Sequence, residues 1–91
     1  MMKEEFEKIA GVQVTPEDYK EIEFVYLWHP SISETDGKNQ IATLWNIGGL
    51  RLIRDMKETA RITMELEEEI RKTREKLARM INQLNVLRAG R

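Results

Sequence analysis

No cysteine occurs in the 91 residues of this chain, which excludes disulfides, thiolate zinc sites and a cysteine nucleophile and suits a reducing cytosol. Long apolar runs are missing too. The longest, Phe24 to Trp28, is five residues, against roughly 18 for a bilayer-spanning helix. The opening Met1-Met2-Lys3-Glu4-Glu5 is acidic and has neither the basic nor the apolar zone of a secretory signal. A cytoplasmic protein without a membrane partner is therefore expected. Catalytic material is equally sparse.

His29 is the single histidine, and no nucleophile or carboxylate in its neighbourhood marks a catalytic set. Its expected role is a hydrogen-bonded residue at a helix end. Glu34-Thr35-Asp36-Gly37-Lys38-Asn39 lacks the spaced acids and closing glutamate of a calcium loop. Gly37-Lys38 has no upstream phosphate-loop glycine, and Gly48-Gly49 follows no strand. These patterns point to no metal, no cofactor and no enzyme.

What is abundant is charge, and it is unevenly placed. Residues 1–49 hold four lysines against nine acids, a balance of -5, whereas residues 50–91 hold eleven basic and seven acidic side chains, a balance of +4. Such polarity suits antiparallel or head-to-tail association, or a basic surface meeting an acidic partner. A chain this short builds only a small core, so help from a partner subunit is plausible.

Helix punctuation is clear in the first third. Lys3 to Ala10 reads as a short helix, with Phe6, Ile9 and Ala10 on one side and Gly11 as its stop. After an extended Val12-Gln13-Val14, the run Thr15-Pro16-Glu17-Asp18 combines a hydroxyl cap, a proline at the first helical position and carboxylates in the first turn. A second helix is expected from Pro16 to Trp28, ended by His29-Pro30. Ile22, Phe24, Tyr26 and Trp28 also alternate at period two, a strand signal, but no second strand is evident to pair with it. This helix should be sandwiched between the first helix and the start of a third, where Ile41, Leu44, Trp45 and Ile47 supply apolar surface. An aromatic cluster of this kind is expected to be core.

Past a polar connector, a long helix should start near Lys38, with Ser33, Thr35 or Asp36 as candidate caps, and continue to about Arg88, a length of about 75 Å. Residues 1–37 would then form a helical head and connector, and residues 38–91 the long helix. Gly48-Gly49 interrupts it at about 1 kcal/mol per glycine relative to alanine. Close packing or a mild kink is expected there, because apolar periodicity resumes at once with Leu50, Leu52 and Ile53.

The dominant signal is a heptad register from Leu52 to Leu87. One core position holds Met56, Thr63, Ile70, Leu77 and Leu84, and the other Leu52, Thr59, Leu66, Thr73, Met80 and Leu87. Three threonines weaken this seam, while Ala60, Ile62, Ile81 and Val86 widen it beyond what a two-stranded coil needs. Leu52, Met56, Leu66, Ile70, Leu77, Met80, Ile81, Leu84 and Leu87 are the expected oligomer interface. Acid-first spacing of four predicts pairs Glu67 with Arg71, Glu68 with Lys72 and Glu75 with Arg79. A parallel dimer would pair Glu69 with Arg74 of the other chain, but the equivalent pairs are not oppositely charged. Charge polarity and the head lean towards an antiparallel dimer.

Arg51, Arg54, Lys57 and Arg61 fall within an arc of about 120° on a helical wheel, a candidate phosphate-contact face. Asp55 and Glu58 interleave with them and no stacking aromatic accompanies them, which favours a solvated outer face.

The stretch Phe6-Glu7-Lys8, then Gly11-Val12-Gln13-Val14-Thr15-Pro16-Glu17-Asp18-Tyr19 and Ile22-Glu23 with Tyr26, resembles the opening of small uncharacterised proteins encoded by phages and mobile elements of gut bacteria. It covers about the first third of the chain and carries over no functional residue. The resemblance implies a setting, an accessory protein of phage or host in a bacterial cytoplasm. The reading is thus an all-α protein, a two-helix head on a long coiled-coil-like helix, that self-associates and engages another protein. The rival is a small nucleic-acid-binding regulator or an inhibitor of a host defence nuclease.

Overall fold

The computed structural model describes residues 1–90; Arg91, the last residue of the expected long helix, lies outside them. The described residues form three helices, α1 (Lys3–Ala10), α2 (Pro16–Trp28) and α3 (Gly37–Ala89), and no strand. The fold is all-α, a short two-helix head with a long C-terminal helix. No helix among the described residues is long and apolar enough to cross a membrane.

The local signals act as their chemistry requires. Gly11 closes α1 in the left-handed region at φ 73, its N–H donating to the Glu7 carbonyl. The Glu7 carboxylate reaches on to accept from the Val14 N–H at 2.9 Å, which seats Val14 in the core. Thr15 Oγ1 accepts from the Asp18 N–H at 3.1 Å, with Pro16 at the first helical position. That cap commits the next turn to helix, and burial then falls on Tyr19, Ile22 and Val25 at spacings of three. The period-two alternation is incidental to it. His29 ends α2, its N–H bonded to the Val25 carbonyl, and its Nδ1 takes the Ser31 N–H at 3.2 Å and meets the Ser31 hydroxyl at 2.7 Å. Burial holds this imidazole below the usual histidine range. Asp36 stands at the N-cap of α3 without capping it; its carboxylate instead accepts from the Asn39 side chain at 2.9 Å.

The largest departure from expectation lies inside α3. Gly49 sits at φ 61, ψ -154, outside helical space, in a region open essentially to glycine alone. A Cβ on Gly48 would lie 2.4 Å from Leu52 Cβ, so the missing side chain lets the next turn fold over it. The close neighbour of Gly48 is thus the Leu52 side chain rather than another backbone, and the expected mild kink becomes a reversal. Residues 37–48 and 50–89 are two arms. Ile41 and Ala42 from the first share one core with Ile53 from the second, and Met56 lines the same recess as Asn39, Gln40, Thr43 and Leu44. A straight 53-residue helix would measure about 80 Å, whereas the whole molecule extends 67 Å. Burial of both arms against common neighbours outweighs the small propensity terms that favour continuity.

The head is therefore built from α1, α2, the short arm and the first turns of the long arm. Phe6, Ile22, Val25, Ile41 and Ile53 are its fully buried centre. Phe6 meets Trp45 edge-on at 6.2 Å and Tyr19 at 6.3 Å between ring centroids. Both short helices lie on α3, and α2 packs chiefly there rather than being sandwiched. Ile47 does not join the core as expected; it is exposed on the outer side of the short arm. Polar contacts tie the parts together: Asn46 Nδ2 donates to the Ala10 carbonyl at 3.1 Å, Lys38 pairs with Glu5 at 2.6 Å, and Glu21 takes both Arg54 and Lys57 of the long arm at 3.1 and 3.4 Å.

Tyr19 adds a pH-dependent contribution. Its hydroxyl donates to the Met1 carbonyl at 2.5 Å, and its pKa is pushed from 10.0 up to about 12 by burial first and by the neighbouring Glu23 carboxylate second. A phenol whose folded pKa is raised contributes stability in full below its unfolded pKa and loses it as pH climbs through the folded one. The stability difference between the protein and Tyr19→Phe should thus shrink between pH 10 and about 12. Paired thermal melts across that interval, with tyrosinate absorbance, test this; a constant difference would count against it.

Candidate association surface

From Glu65 to Gly90 every residue of the long arm is exposed, and only its first turns, as far as Lys72, border recesses shared with the head. Its helicity is supported locally. Arg61 bridges Glu58 and, at 2.7 Å, Glu65, and Arg71 bridges Glu68 and, at 3.0 Å, Glu75. Each arginine bonds one carboxylate three residues back and one four residues on. Both arginines are held more firmly protonated by these bonds, and Glu58 and Glu68 are held below the usual carboxylate range by the same partners. The expected pairs of Glu67 with Arg71, Glu68 with Lys72 and Glu75 with Arg79 are not formed, because the fork of Arg71 reaches Glu68 and Glu75 together.

Opposite these clamps runs the heptad stripe. Leu66, Ile70, Leu77, Met80, Ile81 and Leu84 are each about half exposed and Leu87 more so, 46% to 68%. An apolar stripe this long on a solitary helix is unusual, since scattered surface leucines are ordinary but a contiguous line is not. The expected interface residues nearer the head behave differently. Leu52 and Met56 are half-buried and pack inside the chain, Leu52 over Gly48 and Met56 against the core.

The head covers one flank of the seam and leaves the other open. Ile53 and Ala60, one position to the side of the stripe, are wholly buried, whereas Ile62 on the other flank, like Thr59 in the stripe itself, is exposed. To sequence reasoning Ala60 and Ile62 are equivalent flanking positions; only their burial separates them. Trp28 is a second feature it missed, reaching past the head to border a shallow recess with Met64, Glu68 and Lys72 of the long arm. The α2 aromatics also line an open recess of about 520 Å³ with His29, Thr63 and Glu67. His29 cannot offer a free Nδ1 there, because Ser31 occupies it.

The candidate phosphate-contact face is largely matched by carboxylates. Arg54 and Lys57 are held by Glu21, and Arg61 by Glu58 and Glu65, so among the described residues Arg51 alone of the four makes no ion pair. Glu21 had no signature in the sequence, because its contact depends on how α2 lies across the arm. Among the described residues no group of three or more histidines, aspartates and glutamates could hold a metal ion.

No protein-family model, curated protein or solved structure matches this chain.

Proposed function

We propose that this protein is a non-enzymatic assembly module that self-associates through the long arm of α3 and uses its acidic head to engage another protein. The observation that carries this reading is the 26-residue stretch from Glu65 to Gly90, whose apolar stripe is left exposed by the chain itself. In water such a stripe favours a helical neighbour, and full burial of each half-exposed leucine or isoleucine contributes about 1 kcal/mol. Three threonines in the seam keep the assembly moderate in strength, as suits a module that assembles and comes apart. The nucleic-acid reading has less to support it, since three of its four basic side chains are already paired with acids.

Mass measurement by light scattering across micromolar concentrations tests the proposal. A dimer mass is the expected result; a monomer throughout would overturn it.

A further inference from the structure

Resting on that self-association, we infer that the partner is a second copy of this chain lying antiparallel in one particular register, with Leu66 opposite the partner's Leu77 and Ile70 opposite the partner's Thr73. The charges beside the seam select it. Glu67 and Glu69 precede Arg74 and Lys76 in the flanking positions, an acidic pair followed by a basic pair. In this register an antiparallel coil places Glu67 beside the partner's Arg74 and Glu69 beside the partner's Lys76, and two-fold symmetry repeats both pairs. Sliding by one heptad in one direction sets Glu67 and Glu69 against their own copies. Sliding the other way sets Arg74 and Lys76 against theirs. Both alternatives juxtapose like charges at the two-fold axis.

The structure adds two observations of its own. The outer-face arginines Arg61 and Arg71 find their acids within the helix, while among the described residues Glu67, Glu69, Arg74 and Lys76 make no ion pair in the chain. They stay available for a neighbour. The head also covers the Ile53 and Ala60 flank and takes Leu52 and Met56 into its own packing. Thr59 in the stripe and Ile62 on the other flank stay exposed, so the last turns of a partner helix can pass the head on that open side. Beyond Glu75 the chain carries Lys76, Arg79, Arg88 and Arg91 and no acid, whereas residues 1–49 have a balance of -5. An antiparallel pair brings each basic tail beside the partner's acidic head. A parallel pair keeps them apart on a molecule 67 Å long.

Side-chain volumes agree with the charges. In the antiparallel register Thr63 faces the partner's Met80 and Thr73 faces the partner's Ile70, so each threonine meets a larger apolar side chain. A parallel pair in register stacks Thr59, Thr63 and Thr73 on their own copies and gains only the pairing of Glu69 with the partner's Arg74.

Absence of native cysteine makes the test clean. In the full chain, Leu66→Cys and Leu77→Cys variants, both at exposed positions away from the head, are oxidised mildly, alone and mixed. The mixture should form disulfide dimer about tenfold faster than either variant alone, because like positions lie eleven residues apart along the axis, about 16 Å, beyond disulfide reach. Fast cross-linking of each variant with itself would overturn the antiparallel arrangement. Faster cross-linking of Leu66→Cys with Ile70→Cys or with Leu84→Cys would overturn the register. Light scattering on the unmodified protein separates these outcomes from loss of self-association itself, which would appear as a monomer mass.

Discussion

Leu77→Asp is expected to be a monomer at concentrations where the unmodified protein is a dimer. Leu77 lies mid-seam and is 55% exposed in the isolated chain, so it has little to lose within its own subunit. In the proposed antiparallel dimer it stands against Leu66 from the other copy, and symmetry presents that contact twice. Removing a buried leucine costs about 2–5 kcal/mol per site, and a carboxylate forced into the seam adds desolvation to it. Two sites together cost at least about 5 kcal/mol, a weakening of about a thousandfold or more in Kd. The head should stay folded, because Phe6, Ile22 and Ile41 lie far from the change. Sedimentation or light scattering gives the mass, and the combined fluorescence of Trp28 and Trp45 reports the head. An unchanged dimer mass would show that the stripe is not the seam.

Gly49→Ala is expected to lower the melting temperature by about 10 °C or more, from a backbone penalty of about 1–3 kcal/mol and a gain for the competing straight helix. Alanine cannot hold φ 61, ψ -154 without strain. The same methyl stabilises a continuous helix by about 1 kcal/mol relative to glycine. Both effects push residues 37–48 away from the long arm and separate Ile41 from Ile53. Gly48→Ala acts by another route, since its Cβ would fall 2.4 Å from Leu52 Cβ, and should also destabilise the turn. Helical circular dichroism should persist in Gly49→Ala while the thermal midpoint drops. A variant as stable as the parent would show that the reversal is not required for the head.

Much of this architecture is legible in the sequence, for reasons that are local. The Thr15-Pro16 cap, Gly11 and His29-Pro30 act within one turn, so the bounds of α1 and α2 follow from residues adjacent in the chain. The heptad from Leu52 to Leu87 is likewise a property of one helix, and it marks the surface that association would use. The ion pairs were less legible. Arg71 has carboxylates at several helical spacings, and rotamers decide which two it takes.

By itself, then, the sequence determined three helical segments, their caps and an apolar stripe, because capping and amphipathic periodicity depend on neighbours within a few residues. The tertiary structure decided where α3 turns back and which flank of the stripe the head covers. Gly48-Gly49 permits a straight, kinked or reversed chain at differences of about 1 kcal/mol per residue. The choice falls to burial of Ile41, Ala42 and Ile53 with Phe6 and Ile22, a contact set that exists only once distant parts of the chain have met. That choice leaves the region beyond Glu65 uncovered, and with it the seam on which the proposed function rests.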